Sequence, residues 1–448
     1  VKEYGALVIG SGQGGVPLAA AFAEQGMRVA LFERGALGGT CVNVGCTPSK
    51  SFLAAAHSAG RIRKARMLGV TGDVSVNFAQ VMERVERIVE EFRAGTEARL
   101  VNAHVDVIRA EASFSGVRTV AAGGATYTAP LIVINAGAAP IIPQLPGIER
   151  TRYLTNETFF TQRMLPKKFL VLGGGYVGLE LGQGMLRCGS EVHVFQSGPR
   201  ILPREDPDAS EILRESLASE GMRFHLNCGV ESLDDDGTLL TVTLESGESV
   251  AGDRLLIATG RAPNTGALRL ERSNIKTGEH GFVAIDDQFR TSCDGVYAIG
   301  DVAGQPAFTH VSWEDHRRLL GILRGEDRRR DDRVLGYTTF TEPQVAHVGL
   351  TLEDARRKGM NAREATLTLD HVGRAIEWGE ERGFFRMVVD SDTGKIAGAT
   401  FVGYEAGELI HVILAHIEAG STWHVLDRSV HIHPTYAEGL PSLARLFA

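Results

Sequence analysis

Residues 5–33 read GALVIGSGQGGVPLAAAFAEQGMRVALFE. GALVI predicts a buried strand, VPLAAAFAEQG an amphipathic helix, and MRVALFE a second strand. Between the first strand and the helix lies Gly10-Ser11-Gly12-Gln13-Gly14-Gly15. Glycines permit a tight turn and let a pyrophosphate approach a helix N-terminus closely. Glu33, at the end of the second strand, can accept hydrogen bonds from an adenosine ribose.

The pattern returns at 169–196, FLVLGGGYVGLELGQGMLRCGSEVHVFQ, with Gly173, Gly175 and Gly178 in the turn. Gln196 follows Gly173 at the spacing at which Glu33 follows Gly10. One such motif is weak; two in matched strand–turn–helix–strand context predict two dinucleotide sites. Two sites in one chain imply electron transfer between a flavin and a nicotinamide, which exchange hydride directly. Gln196 lacks the carboxylate that would repel a 2′-phosphate, and Arg200 and Arg204 could meet one or be solvated loop charges. NADPH is therefore allowed beside NADH.

Working outward, the 448 residues allow roughly two or three domains. Apolar residues make up 43% and charged residues 23%, an ordinary globular composition. The net charge of -8 is spread along the chain and forecasts no nucleic-acid partner. Apolar runs stay short of a spanning helix, so no membrane partner is expected. VKEYGALVIGSG enters a strand directly, without a signal-peptide pattern, and the expectation is a cytoplasmic protein. Cys188, Cys228 and Cys293 are widely separated and read as buried small hydrophobes.

Residues 78–100 predict a long amphipathic helix, and 104–134 short strands forming a small sheet. LIVINAGAAP (131–140) and LLIATGRAPN (255–264) echo one another as final strands meeting a glycine turn. Gly137, Gly260 and Arg261 are accordingly counted with the cofactor-binding residues. GVYAIGDVAG (295–304) puts Asp301 at the C-terminal end of a strand, where such sheets bind ligands. RGEDRRRDDR (324–333) reads as a solvated connection, and from Gly336 the pattern changes to a separate α+β domain. The fold class expected is α/β: two Rossmann-like dinucleotide-binding domains plus a C-terminal α+β domain.

One stretch remains, GGTCVNVGCTPSK (38–50), with Cys41 and Cys46 in a Gly-rich run leading into a helical pattern. Alone it allows a staple, half a metal site or a redox couple. A zinc site would need further ligands, and the sequence offers none nearby, so no metal site is expected.

In this order GSGQGG, GGTCVNVGCTPSK, GGGYVGLE, ATGRAPN, YAIGD and HPTYAE closely resemble the FAD-dependent pyridine-nucleotide disulfide oxidoreductases, across essentially the whole chain. The resemblance implies FAD along Gly10, Gly12, Gly15, Glu33, Gly39, Thr40 and Asp301. It implies NADPH or NADH on Gly173, Gly175, Gly178 and the loop after Gln196. It divides the chain into a first FAD part (1–150), an NAD(P) domain (151–265), a second FAD part (266–333) and a dimerisation domain (334–448). Cys41 and Cys46 become a redox-active disulfide; once two electrons from the flavin have reduced it, Cys46 faces the flavin as a thiolate and Cys41 exchanges with substrate. Tyr176 becomes the gate over the nicotinamide face, and Lys50 with Glu180 an ion pair beside the reactive ring. Tyr176 otherwise reads as packing, and the ion pair as a helix-surface contact. His433 and Glu438 match the family's acid/base pair, which completes the site of a homodimer partner; His431 could share that face.

PAFTHVSWEDHR (306–317) and GRAIEWGEERGFFRMVVD (373–390) look most like a mercuric-reductase-like subgroup, which also resembles reductases linked to reactive-chlorine and copper resistance. The chain ends in ARLFA rather than a vicinal cysteine pair, which argues against efficient mercuric turnover. The acceptor expected is a small disulfide, a metal ion or a quinone-like molecule. The alternative is NAD+-linked oxidation of dihydrolipoamide, the same parts run backwards.

Overall fold

The computed structural model describes the whole chain, Val1–Ala448. Its first large sheet is parallel, with strands in the order Val296–Ala298, Leu131–Ile134, Ala6–Ile9, Val29–Phe32 and Asp106–Ile108. Ala6 pairs in register with Val29 on one side and Leu131 on the other. ALVI and VALF are buried at every position, as a parallel sheet covered on both faces requires. The helix Gly15–Glu24 covers it, burying Val16, Leu18, Ala19 and Phe22.

The second large sheet repeats the plan in the order Tyr153–Leu154, Arg254–Ile257, Lys168–Leu172, Glu191–Gln196 and Arg223–Leu226. In both sheets the strand before the glycine loop is central. The Glu33 or Gln196 strand flanks it on one side and the strand of the LIVINAG or LLIATG stretch on the other. Each glycine loop therefore opens at the C-terminal edge of its sheet, where a ligand crevice forms.

The region 104–134 divides more finely than expected. Asp106–Ile108 joins the edge of the first parallel sheet, and Leu131–Ile134 lies within it. Only Ser113–Thr128 forms a separate antiparallel meander, capped by Lys2–Glu3. The long helix runs Phe78–Asn102, begun by the Asn77 side chain, which accepts the Gln80 N–H at 3.2 Å.

The C-terminal sheet is antiparallel, ordered Gly336–Thr339, Gln344–Gly349, Ile396–Gly403, Phe384–Asp390 and Ala362–Thr368. Phe385 and Phe401 pair across it within a core completed by helix Ala406–Glu418. No helix is long and apolar enough to cross a membrane.

Two features position the site. The cysteine helix Cys46–Lys64 lies on the second-module helix Tyr176–Cys188, and glycines set their spacing. A Cβ on Gly184 would lie 2.3 Å from Phe52 Cε1, and one on Gly60 2.7 Å from Arg187 Cζ. The second feature corrects the sequence reading. The charge run 324–333 is not wholly solvated: the Arg333 side chain is 6% exposed and faces Asp315, which is fully buried. A guanidinium sinks there because a buried carboxylate pairs with it.

Candidate active site

The two glycine loops share one geometry. Gly10 (φ +104°) and Gly173 (φ +115°) are left-handed, and a Cβ on either would strike the carbonyl of Asn135 or Ala258, at 2.3 and 2.4 Å. A Cβ on Gly15 or Gly178 would lie 2.1 or 2.2 Å from the carbonyl of the loop's first glycine. These glycines let helix and strand approach closely, while the direction of a Gly175 Cβ is open space. Asn135, unremarked in the sequence reading, accepts the Gly15 N–H at 2.8 Å and donates to Ile299 O at 3.1 Å. It ties the first loop to the strand leading to Asp301.

Glu33 accepts from Ser11 N–H (3.0 Å), Ser11 Oγ (2.6 Å) and Gly35 N–H (2.7 Å), so it shapes the loop. In the second loop Gln196 Oε1 accepts the Gly174 N–H at 2.9 Å. With its oxygen so engaged, the amide offers its NH2 as a donor where a carboxylate would offer only acceptors. Arg204 is exposed, and Arg200 donates to Pro203 O at 3.4 Å.

The structure brings together stretches that the sequence only showed to be alike. Arg261–Pro263 pairs antiparallel with Ala138–Pro140, joining the turns at Gly137 and Gly260. Arg261 Nη2 reaches Thr40 Oγ1 at 3.5 Å, and its Nε lies 3.8 Å from Asp301 Oδ2. Burial pushes the Asp301 carboxyl up, against the opposing pull of Arg261. Arg261 Nε is buried without a hydrogen-bond partner. A Cβ on Gly39 would lie 2.8 Å from Gly12 Cα, so the cysteine stretch abuts the first loop. Loops that a side chain would fill, an orphaned guanidinium nitrogen and carboxylates at strand ends fit the phosphates and sugars of two dinucleotides.

Cys41 lies within the short helix Gly39–Val44, and Cys46 opens the next helix after Gly45. Both are free thiols and neighbours. Cys46 is lowered to about 6, first because the Cys41 thiol donates to it and then by Thr309 and the Lys50 ammonium, against desolvation by the surrounding protein. Cys41, as the donor, is pushed up. Thr309 Oγ1 stands 3.1 Å from Cys46 Sγ, at the first residue of helix Thr309–Leu323.

Lys50 Nζ donates to Glu180 Oε2 at 2.7 Å, and Glu180 is 3% exposed. The sequence did not forecast what holds this pair. Phe340, in the loop between the strands Gly336–Thr339 and Gln344–Gly349 of the C-terminal sheet, donates its N–H to Glu180 Oε1 at 2.9 Å. Its ring lies 4.6 Å from Lys50 Nζ, and its carbonyl is 3.1 Å from His57 Nε2. Next to it Glu342 accepts from Arg61 at 2.8 Å and from the buried Arg187, which also donates to Glu220 at 2.7 Å. Tyr176 begins the second-module helix, its ring 6.0 Å from Phe308, and burial pushes its phenol up.

His433 Nδ1 and Glu438 Oε2 are 2.7 Å apart, with the His433 ring 77% exposed. Within one chain their hydrogen bonds do not reach the cysteines, and His431 Nδ1 has no partner.

Residues 4–315 match the family model described as pyridine nucleotide-disulphide oxidoreductase, and residues 336–444 match the dimerisation domain of that description. The chain is 35% identical to the mercuric reductase of Lysinibacillus sphaericus over 451 residues, covering 99% of this chain and 83% of that protein. It is 33% identical to the dihydrolipoyl dehydrogenase of Thermus scotoductus over 455 residues, covering 99% and 97%. The Cu(II) complex of the HOCl-induced flavoprotein disulfide reductase RclA from Escherichia coli is similar at a TM-score of 0.91 and 30% identity, over 100% of both chains. With its paired dinucleotide loops, its cysteine couple and a dimerisation domain, the chain belongs to the pyridine nucleotide-disulphide oxidoreductases, enzymes that use FAD and NAD(P)H.

Proposed function

We propose that the enzyme draws electrons from NAD(P)H and delivers them through the Cys41–Cys46 couple to a thiophilic acceptor, a small disulfide or a soft metal ion. The observation that carries this reading is the asymmetry of the couple. Cys46 Sγ stands 3.1 Å from Thr309 Oγ1 and near the Lys50 ammonium that Glu180 holds at 2.7 Å. With Cys41 donating to it the Cys46 thiol is lowered to about 6, while the Cys41 thiol is pushed up. One sulfur is thus favoured as a thiolate, and the other attacks and exchanges once a base has taken its proton.

FAD, when bound, supplies two-electron transfer between the nicotinamide and the disulfide. The chain's own residues do the rest. The loop Gly10–Gly15 with Glu33, Gly39, Thr40 and Asp301 binds FAD, and the loop Gly173–Gly178 with Gln196 binds the nicotinamide nucleotide. Tyr176 covers the nicotinamide site. Lys50, fixed by Glu180, favours the Cys46 thiolate. The Gln196 amide donor supports acceptance of NADPH beside NADH.

Thiol exchange also needs a group to carry the proton. Glu438 holds the His433 tautomer at 2.7 Å and leaves Nε2 free to take and return one. In a homodimer, His433 of the partner subunit would serve Cys41. That pair equally suits a dithiol substrate, so a second reading is dihydrolipoamide oxidation, the reaction in the name of the Thermus scotoductus relative.

The test is steady-state NADPH and NADH oxidation with mercuric and cupric ions, glutathione disulfide, lipoamide and quinones offered in turn. Turnover with a metal ion or a disulfide other than lipoamide, lost in C41S, is the expected result. Turnover that survives C41S, or dedicated lipoamide turnover alone, would overturn the proposal.

A further inference from the structure

Arg333 closes the charge run that joins the first module to the C-terminal domain. Its guanidinium donates to Asp315 Oδ1 at 2.6 Å and, through Nη2, to Gln305 Oε1 at 2.9 Å. Asp315 lies on helix Thr309–Leu323, and its other oxygen accepts the Gly300 N–H at 2.8 Å. One buried carboxylate thus bridges the linker's cation and the backbone just before Asp301.

A buried ion pair is a weak source of stability, because losing the hydration of both charges offsets most of their attraction. What it does define is one geometry, and the geometry here is demanding. Gly300 is left-handed (φ +70°), and a Cβ on it would lie 2.7 Å from Ser312 Oγ and 2.9 Å from Asn135 Nδ2. The turn is pressed onto the helix that carries Asp315, and Asp301 follows at once. The same helix presents Thr309 to Cys46 at 3.1 Å and Ser312 to Asn135 at 3.3 Å. Arg333 stands three residues before the edge strand Gly336–Thr339 of the C-terminal sheet.

We propose that Asp315 and Arg333 are positioning residues that set the Gly300–Asp301 turn for FAD and couple it to the linker into the dimerisation domain. This rests on the reading of Asp301 as an FAD contact. Asp315 acts through the Gly300 N–H, and Arg333 through Asp315.

Two double variants separate the hydrogen bond from the charge. D315N/R333M removes both charges but keeps an amide oxygen for Gly300; D315L/R333M removes that acceptor as well. FAD affinity of the apoprotein is read by quenching of flavin fluorescence, and the unfolding midpoint by far-UV circular dichroism. D315L/R333M should bind FAD about tenfold more weakly than D315N/R333M, the worth of one hydrogen bond, at matched unfolding midpoints. Equal affinities in the two doubles would overturn the proposal.

Should D315L/R333M not fold, single D315N decides, since its amide turns an NH2 toward Arg333. Weaker FAD binding at an unchanged midpoint supports the proposal, and wild-type affinity overturns it. D301A is the control. Wild-type FAD affinity in D301A removes the underlying reading of Asp301, whereas loss in D301A without loss in D315L/R333M removes only the positioning role.

Discussion

In the proposed function Cys46 leaves a disulfide as a thiolate, and its surroundings favour that state. Three neighbours act on it: the Cys41 thiol, the Thr309 hydroxyl at 3.1 Å and the Lys50 ammonium, itself held by Glu180 at 2.7 Å. Since its pKa is lowered to about 6, the thiolate predominates above that pH and is lost as pH falls through it. Iodoacetamide alkylation of Cys46 in the reduced enzyme should therefore follow a midpoint near 6, well below the ~8.5 of a free cysteine. In K50M the midpoint should rise by about one unit, since an opposite charge of this kind shifts a pKa by that order. A wild-type midpoint at the free-cysteine value would contradict the assignment. The cysteines, Lys50, Glu180, His433 and Glu438 could be singled out because each sits in a short motif that resembles the family's. Asp315, Arg333, Asn135 and Phe340 could not, because they lie outside those motifs and meet their partners only in the fold. Gly300 is 15 positions from Asp315, and Glu180 is 160 from Phe340.

At the level of elements, the site is built where the cysteine helix crosses the second-module helix. Lys50, His57 and Arg61 on one helix meet Glu180 and Arg187 on the other, with Phe340 and Glu342 inserted between them. The close approach depends on Gly184, where a Cβ would fall 2.3 Å from the buried Phe52 ring. G184A should cost roughly 1–3 kcal/mol by overpacking, read as a lower urea midpoint with unchanged m. An unchanged midpoint would mean that the two helices are free to separate. Both helices were legible from apolar periodicity. Their crossing was not, since nothing in either segment names its partner. The ribbon joining Ala138–Pro140 to Arg261–Pro263 was hidden in the same way. The two stretches were recognised as alike, but likeness in sequence does not imply pairing in space.

Over the whole molecule, the two large parallel sheets and the C-terminal antiparallel sheet place each source of chemistry at a boundary. The glycine loops open at the sheet edges, the cysteines lie against the first loop, and the C-terminal segment Phe340–Glu342 grips the ion pair beside them. Repetition made this architecture readable, because two copies at equal spacing carry far more than one. Most of the charge run 324–333 is exposed as its composition suggests, but Arg333 is not, because composition reports solvation on average and gives no sign of a buried carboxylate waiting for one guanidinium. The central claim is that nicotinamide electrons reach the Cys41–Cys46 couple. It is tested by adding one equivalent of NADPH per chain to the oxidised holoenzyme without oxygen, then alkylating and mapping the thiols by mass spectrometry. Both Cys41 and Cys46 should change from blocked to labelled, with Cys188, Cys228 and Cys293 unaffected; a loss of flavin absorbance with Cys41 and Cys46 still unlabelled would contradict the account.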